Sequence, residues 1–478
     1  MTKVKITIDG HDLEVEQGTN LIEAARQLGK TIPHYCYHPG LPPDGNCRMC
    51  LVQVEKMPKP VIGCRTGATE GMVVHTQSDE VKKMRQSIME FLLINHPLDC
   101  PTCDQAGECR LQDYYMDYDR IPSRYQEQKV HKDKMVDLGA GVMLDEERCI
   151  VCTRCVRVCQ EVAKSEELFV QERGNHSMVA TFPGKKMTNP YAGNTVDVCP
   201  VGALTSKDFR YKKRVWFLSA ADSVCQGCSR GCNISVHHAD NRVYRLKPRH
   251  NPEVNDYWMC DYGRIDYKFV NDGRRLKPHF KTDAGLQEDS YQNAFAHLQS
   301  VLQNYSADQI TGIASAQESN EEINAFVDFI KSNFGSLPIY FSKNNPENPY
   351  EDDILIKADK NPNSAHIASK NLKPVSEISG GVKAVFVQRN LSAQDAQVLK
   401  DKGIQIVALF ATNETNLDNL AEVILPIPTF AEQNGHFTNF EGKVQGFTKA
   451  LKPRGESRLF AEHAEDIKAL LSSIKKAS

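Results

Sequence analysis

Four cysteines within eleven residues, Cys149-Ile-Val-Cys152-Thr-Arg-Cys155-Val-Arg-Val-Cys159, constrain this chain more than any other stretch, and Cys199-Pro200 answers them forty residues later. The spacing C-x2-C-x2-C-x3-C is the bacterial ferredoxin run. Three thiolates on one tight loop hold three corners of a cubane, and a distant Cys-Pro supplies the fourth. In two-cluster ferredoxins the last cysteine of each run ligates the other cluster. A second run ending at Cys199 would need ligands at Asn189, Ala192 and Thr195, none of which binds iron well. The second cluster of the pair is therefore expected to be lost. Cys149, Cys152, Cys155 and Cys199 are expected to hold one [4Fe–4S] cluster, and Cys159 is left without a metal. The neighbouring Arg148, Arg154 and Arg157 either offset cluster charge or are simply solvated, and the sequence assigns them no role.

All sixteen cysteines lie between Cys36 and Cys260. The opening residues, Met1-Thr-Lys-Val-Lys-Ile-Thr-Ile, read as a strand and have no apolar core of signal-peptide length. Without an export signal the thiols are expected to stay reduced and serve as ligands rather than disulfides. The formal net charge is −3 with both signs interspersed, which excludes a nucleic-acid footprint. No apolar run reaches the roughly 18 residues of a spanning helix. A soluble, cytoplasmic protein is expected, touching a membrane only through partners. A length of 478 residues suggests about three domains, or more where metals hold small ones.

Residues 1–78 are expected to form the first domain. Val4, Ile6 and Ile8 alternate, as do Leu13 and Val15, around Asp9-Gly10, a hairpin signal because glycine accepts positive φ. Asn20 and Glu23 resemble a capping box opening a short helix that Gly29 can close. Hairpin then helix is how β-grasp ferredoxins begin. Cys36, Cys47, Cys50 and Cys64 follow as C-x10-C-x2-C-x13-C. Plant-type [2Fe–2S] proteins also use four cysteines around a central C-x2-C, with a shorter first gap. A structural zinc site with four thiolates is the rival at this point.

A second segment, 79–118, begins with a helix from Ser78 to about Asn95, its stripe formed by Val81, Met84, Ile88, Phe91 and Leu92. His96, Cys100, Cys103 and Cys109 then make H-x3-C-x2-C-x5-C. Three thiols lack a fourth cysteine nearby, so His96 is the expected fourth ligand of a [4Fe–4S] cluster. A neutral imidazole in place of a thiolate removes negative charge and should raise the potential, as in Rieske centres. Zinc on one histidine and three cysteines is the alternative. Tyr114 to Arg124 reads as an exposed connection, and the ferredoxin run occupies a domain at 140–210.

Cys225, Cys228, Cys232 and Cys260 form a fourth constellation in a small lobe at 218–275, where Ile234, Val236, Val243, Tyr244 and Leu246 alternate like short strands. A third [4Fe–4S] cluster is expected there, with zinc again the rival. Together the four sites use His96 and fifteen of the sixteen cysteines, leaving only Cys159. Residues 276–478 change to strand–helix–strand alternation, which argues for a parallel, doubly wound sheet. Strands are expected at Ile310–Ala314, Pro338–Ser342, Lys383–Gln388 and Ile404–Phe410, with helices after Ser319 and Ser392. Lys343 to about Gly380 reads as a long loop. No dinucleotide or P-loop signature is present.

The ordered series of four cysteine patterns resembles the large iron–sulfur subunit of NADH:quinone oxidoreductase, respiratory complex I. Asp99-Cys-Pro-Thr-Cys-Asp-Gln-Ala-Gly-Glu-Cys, Asp197-Val-Cys-Pro-Val-Gly-Ala-Leu and the stretch from Ala421 to Gln445 carry the likeness further. The resemblance implies a multidomain α+β chain that ends in a shortened molybdopterin-oxidoreductase-like region. It implies one [2Fe–2S] and three [4Fe–4S] clusters without molybdopterin, because no cysteine follows Cys260 to ligate molybdenum. It also implies an electron relay with no substrate chemistry. A flavin-bearing, NADH-oxidising subunit would feed the [2Fe–2S] site, then the Cys149 cluster, then the His96 cluster, and on to quinone-reducing subunits. The Cys225–Cys260 cluster would lie off that route, and the chain would sit in a peripheral arm on the cytoplasmic face of the inner membrane. Two other readings stay open: the iron–sulfur subunit of an NAD-linked hydrogenase or formate dehydrogenase complex, and a zinc-stapled scaffold. The first would need either catalytic cysteines after Cys260 or a much longer pterin-binding body.

Overall fold

A computed structural model describes residues 2–119 and 122–477, and the chain divides into two compact units, 1–217 and 218–478.

The first unit opens with strands β1 (Lys3–Ile8) and β2 (His11–Glu16). They pair antiparallel through a turn in which Asp9 and Gly10 both have positive φ, 47° and 77°. That two-residue geometry matches the twist of the strands it joins. Helix α1 (Leu21–Gln27) begins where the Asn20 side chain accepts the Glu23 amide. Glu23 does not return the bond; its carboxylate accepts from the Tyr37 hydroxyl and from Arg26. Strands β3 (Leu51–Val54), β4 (Val61–Ile62) and β5 (Met72–His75) complete a sheet of order β2-β1-β5-β3-β4, in which β5 runs parallel to β1. Leu21, Ile22, Ala24 and Ala25 bury one face of α1 against it.

Helix α2 (Asp79–Leu93), capped by the Ser78 hydroxyl on the Val81 amide, leads to the His96 segment. Helix α3 (Arg110–Tyr118) follows Cys109. The exposed connection expected from Tyr114 is thus partly helical, and Leu111 and Tyr114 are buried. Tyr114 packs edge-on to Tyr35 at 5.2 Å, a partner that local polarity could not reveal. Arg120 and Ile121 of that stretch lie outside the described residues. The rest of the unit consists of short elements around the cysteine loops, including a hairpin of Val136–Gly139 and Val142–Leu144.

In the second unit, Ser219–Val224, Asn233–Ala239 and Arg242–Pro248 make a three-stranded antiparallel sheet. An eight-stranded sheet follows. Its six central and far strands are parallel, but His279–Thr282 and Gly285–Glu288 add an antiparallel edge beside Ala421–Pro426. The sheet is therefore mixed rather than wholly parallel, because a hairpin can extend an edge without a crossover helix. Lys343–Gly380 is largely irregular yet includes helix Ser364–Ala368 and buries Leu355, Ile356 and Ile367. Among the described residues no helix is long and apolar enough to cross a membrane.

Candidate metal centres

The expected ligands fall in four groups. Cys36, Cys50 and Cys64 are buried and Cys47 is half-buried. Cys36 is hydrogen-bonded through its side chain to Cys47 and Cys64, and Cys50 to Cys64, so the four thiols are contiguous. Those bonds hold the Cys36 thiol well below its ordinary range and push Cys64 well above it. A metal bound there would take the place of the thiol protons.

His96 lines a cavity of about 590 Å³ together with Cys100, Cys103 and Cys109. Burial lowers the His96 pKa to about 4, so the ring is neutral, the form that ligates metals. Its Nδ1 is buried with no hydrogen-bond partner among the described residues. A buried, unpaired ring nitrogen costs desolvation free energy that ligation would restore. Gly202 touches this group from the Cys199 side: a Cβ there would lie 2.1 Å from the Cys103 sulfur. Only glycine leaves Cys103 that space, a requirement invisible in cysteine spacing. Arg148 is buried and pairs with Asp99 (2.6 Å) and Asp145 (3.2 Å), which ties the residue before Cys100 to the loop before Cys149.

Cys149, Cys152, Cys155 and Cys199 line one small enclosed pocket. Burial pushes the Cys149 thiol up to about 12 and Cys152 to about 11. The loop is strained: Val151 and Thr153, both β-branched, hold φ of 49° and 60°. Such residues rarely enter the left-handed region, and outliers of this kind cluster at functional sites. The fold turns the Val151 amide onto the Cys149 sulfur at 3.4 Å. Similar amide bonds run from Gly227 to Cys225, from Gly263 to Cys260 (both 3.4 Å) and from Cys36 to Cys47 (3.5 Å). Donors aimed at sulfur are one of the levers that set cluster potentials.

Cys159 is buried in a π-helical turn, Val158–Val162, and burial raises its thiol to about 12, so it stays protonated. The positions of a second ferredoxin cluster are filled by packing. Asn189 bonds to Glu167, the Thr195 hydroxyl donates to the Ala192 carbonyl, and Ala192 shares an apolar core with Cys159.

In the second unit Cys225 follows one strand, Cys232 precedes the next, and the Cys225 amide donates to the Cys232 carbonyl at 2.8 Å. Cys260 caps helix Asp261–Ile265 through its sulfur. All four thiols are buried, and burial together with the other three holds Cys225 well above the ordinary range. A Cβ at Gly263 would lie 2.7 Å from the Cys225 sulfur.

Among the described residues no three His, Cys, Asp or Glu side chains converge on a point that one ion would occupy. A cubane makes a different demand. Each ligand binds its own iron, so the donors ring a space instead of meeting at a centre.

A separate crevice of about 760 Å³ lies at the carboxyl ends of the parallel strands, lined by Gln317, Asn344, Arg389, Thr412 and Asn413. Arg389 is paired with Glu318, and Asp266, Asp272 and Glu414 add carboxylates to the lining. Lys360 lines it too, so the crevice is polar with a surplus of carboxylates.

Family models match along the chain. They describe a 2Fe-2S iron-sulfur cluster binding domain (1–79), an NADH-ubiquinone oxidoreductase-G iron-sulfur binding region (85–123), and the ferredoxin-like domain of NADH-quinone oxidoreductase subunit 3 (139–205). A molybdopterin oxidoreductase Fe4S4 domain (218–272) and a molybdopterin oxidoreductase model (284–460) match further along. The NADH-quinone oxidoreductase G subunit of Rickettsia conorii is 40% identical over 319 residues, 66% of this chain and 47% of that protein. Over this shared region the chain is a homologue of the G subunit. The corresponding protein of Streptomyces coelicolor is 43% identical over 275 residues, 57% of this chain and 33% of that protein. The NADH-ubiquinone oxidoreductase 75 kDa subunit of Reclinomonas americana is 37% identical over 363 residues, 74% of this chain and 52% of its own length. The chain thus spans about half the length of the Rickettsia and Reclinomonas proteins. A chain of a solved NAD+-reducing [NiFe]-hydrogenase in the H2-reduced state is 27% identical, with a TM-score of 0.41, covering 44% of this chain and 91% of that one. The iron–sulfur and molybdopterin-oxidoreductase matches make the chain a multidomain α+β protein with one 2Fe-2S domain and 4Fe-4S binding regions.

Proposed function

We propose that the chain is the electron-relaying iron–sulfur subunit of an NADH:quinone oxidoreductase. Cys36, Cys47, Cys50 and Cys64 would hold a [2Fe–2S] cluster in a β-grasp domain. His96 with Cys100, Cys103 and Cys109, Cys149 with Cys152, Cys155 and Cys199, and Cys225 with Cys228, Cys232 and Cys260 would hold three [4Fe–4S] clusters. When bound, such clusters supply one-electron carriers; the chain supplies ligands, spacing and the surroundings that set potentials. The domains follow as 1–78, 79–118, 140–210, 218–275 and a pterin-free α/β region at 276–478. Partners would be a flavin-bearing, NADH-oxidising subunit and downstream iron–sulfur and quinone-reducing subunits, in a peripheral arm on the cytoplasmic side of a membrane.

The observation that carries this reading is His96: half-buried, neutral, with a buried and unpartnered Nδ1, in one cavity with three cysteines. A structural role alone leaves that nitrogen without a bond.

Low-temperature EPR of the dithionite-reduced chain, with iron and zinc analysis, tests the proposal. About fourteen irons per chain are expected, two in one [2Fe–2S] and four in each of three [4Fe–4S] clusters. His96→Cys should lower the potential of one [4Fe–4S] signal, and Cys225→Ser should perturb a different one. Zinc in place of iron, with no reducible signal after anaerobic reconstitution, would sink the reading.

A further inference from the structure

Two arginines between the first and third cysteine groups, those of Cys36 and Cys149, have no acidic partner. Arg154 and Arg157 are 4% and 9% exposed, and neither makes an ion pair among the described residues. Arg154 donates to the Val198 carbonyl at 3.0 Å, one residue before Cys199, and to the Tyr37 carbonyl, one residue after Cys36. Its Nε has no partner among the described residues. Arg157 donates to the carbonyls of Cys36 and Pro42 on one side and of Cys152, at 3.4 Å, on the other. Each guanidinium therefore bridges the Cys36 loop and the loops that carry the Cys149 group.

A guanidinium does not give up its proton in a protein. Burying one without a counter-charge costs several kcal/mol, and carbonyl oxygens supply hydrogen bonds but no net charge. In this core the thiols of Cys152, Cys199 and Cys36 are acidic groups beside Arg154.

We infer that Arg154 and Arg157 are a fixed cationic bridge that raises the reduction potentials of both the Cys36-group and Cys149-group clusters. The inference rests on the cluster assignment proposed above. Reduction adds one electron to a bound cluster, no covalent bond forms or breaks, and both guanidiniums keep their protons throughout. Both arginines are positioning residues: they act on the potential through charge and hold the two ligand groups in one register.

The test is an EPR-monitored redox titration of the full chain, as wild type and with Arg154→Gln, Arg154→Lys and Arg157→Gln. Arg154→Gln should disfavour reduction at both sites by about tenfold, which is about 59 mV for one electron. Arg154→Lys keeps the charge and should stay near wild type. Arg157→Gln should shift the [2Fe–2S] signal in the same direction, since it bonds the Cys36 carbonyl directly. Unmoved midpoints in fully loaded Arg154→Gln overturn the inference, as does an equal shift in Arg154→Lys. If Arg154→Gln takes up less iron, Arg157→Gln and Arg154→Lys at full loading decide on the same criteria. A wild type without reducible clusters would instead overturn the assignment beneath it.

Discussion

The two units solve the problem of a core with different materials. In the second, Phe326, Phe329, Phe386, Phe410 and Phe460 meet edge to face, Phe410 and Phe460 at 4.8 Å and Phe326 and Phe460 at 5.1 Å. They are buried between a sheet of eight strands and two long helices, Asn320–Phe334 and Phe460–Ala477. In the first, the core that joins the Cys36 and Cys149 groups includes Cys36, Cys109, Cys152, Cys155 and Cys159 among its buried residues, and its sheets are short. Apolar area stabilises one body directly. The other adds to an apolar core around Ile6, Leu21 and Val52 a second core of thiols and arginines whose stabilisation depends on what the thiols bind. The same chain therefore contains a part that should fold without metal and a part that should not.

Metal removal gives the largest expected effect. Anaerobic chelation should abolish the cooperative fold of residues 79–217, read as loss of amide-exchange protection, while strands Ile310–Ser315, Ala384–Gln388 and Gln405–Ala411 stay protected. Equal loss in both units would break the comparison. The converse is Phe410→Ala, which should cost about 3–5 kcal/mol in the second unit by emptying the centre of its aromatic cluster. The urea midpoint of that unit should fall, and the Cys36-, His96- and Cys149-group EPR signals should be unaltered.

The division also explains what could be read in advance. Cysteine spacing picked out four candidate ligand groups because metal chemistry dictates spacing over a few residues. The Asp9-Gly10 turn and the helix after Ser78 were legible for the same reason: their signals are local. Arg154 and Arg157 were not, since a run of arginines beside cysteines looks the same whether solvated or buried, and the carbonyls that hold them belong to Tyr37, Pro42 and Cys36. The space Gly202 leaves for Cys103 and the burial of Tyr114 against Tyr35 are likewise long-range facts. The antiparallel edge at His279–Glu288 escaped the strand–helix alternation because it adds strands without a helix between them.

Acidity separates the units further. Glu322 is buried at the start of helix Asn320–Phe334 and accepts the Phe460 amide at 2.9 Å. Burial, helped by nearby Glu318 and opposed by Arg389, raises its pKa to about 7. The folded protein thus binds a proton that the unfolded chain has lost. That stabilisation is present below about pH 4.5 and declines as pH rises through about 7, a span worth about 3 kcal/mol. Glu322→Gln should flatten the difference in urea stability between pH 5 and pH 7.5 in the second unit and leave first-unit protection unchanged. An unaltered pH slope would show that Glu322 does not carry it.

The smallest expected effect compares like with like. Ser78 and Ser319 each cap a fifteen-residue helix, accepting the amides of Val81 at 3.4 Å and Glu322 at 3.2 Å. Replacing either by alanine removes one bond to an otherwise unpaired amide, about 1 kcal/mol. In the second unit that loss should appear directly as a lower unfolding midpoint, with or without metal. In the first unit the helix leads to His96, so the same loss should appear in the loaded chain as faster release of iron to a chelator from the His96 site. Folding and binding there are one equilibrium. If Ser78→Ala lowered the metal-free midpoint of a cooperative transition in residues 79–217, that region would have a fold of its own, and its core would be ordinary packing after all.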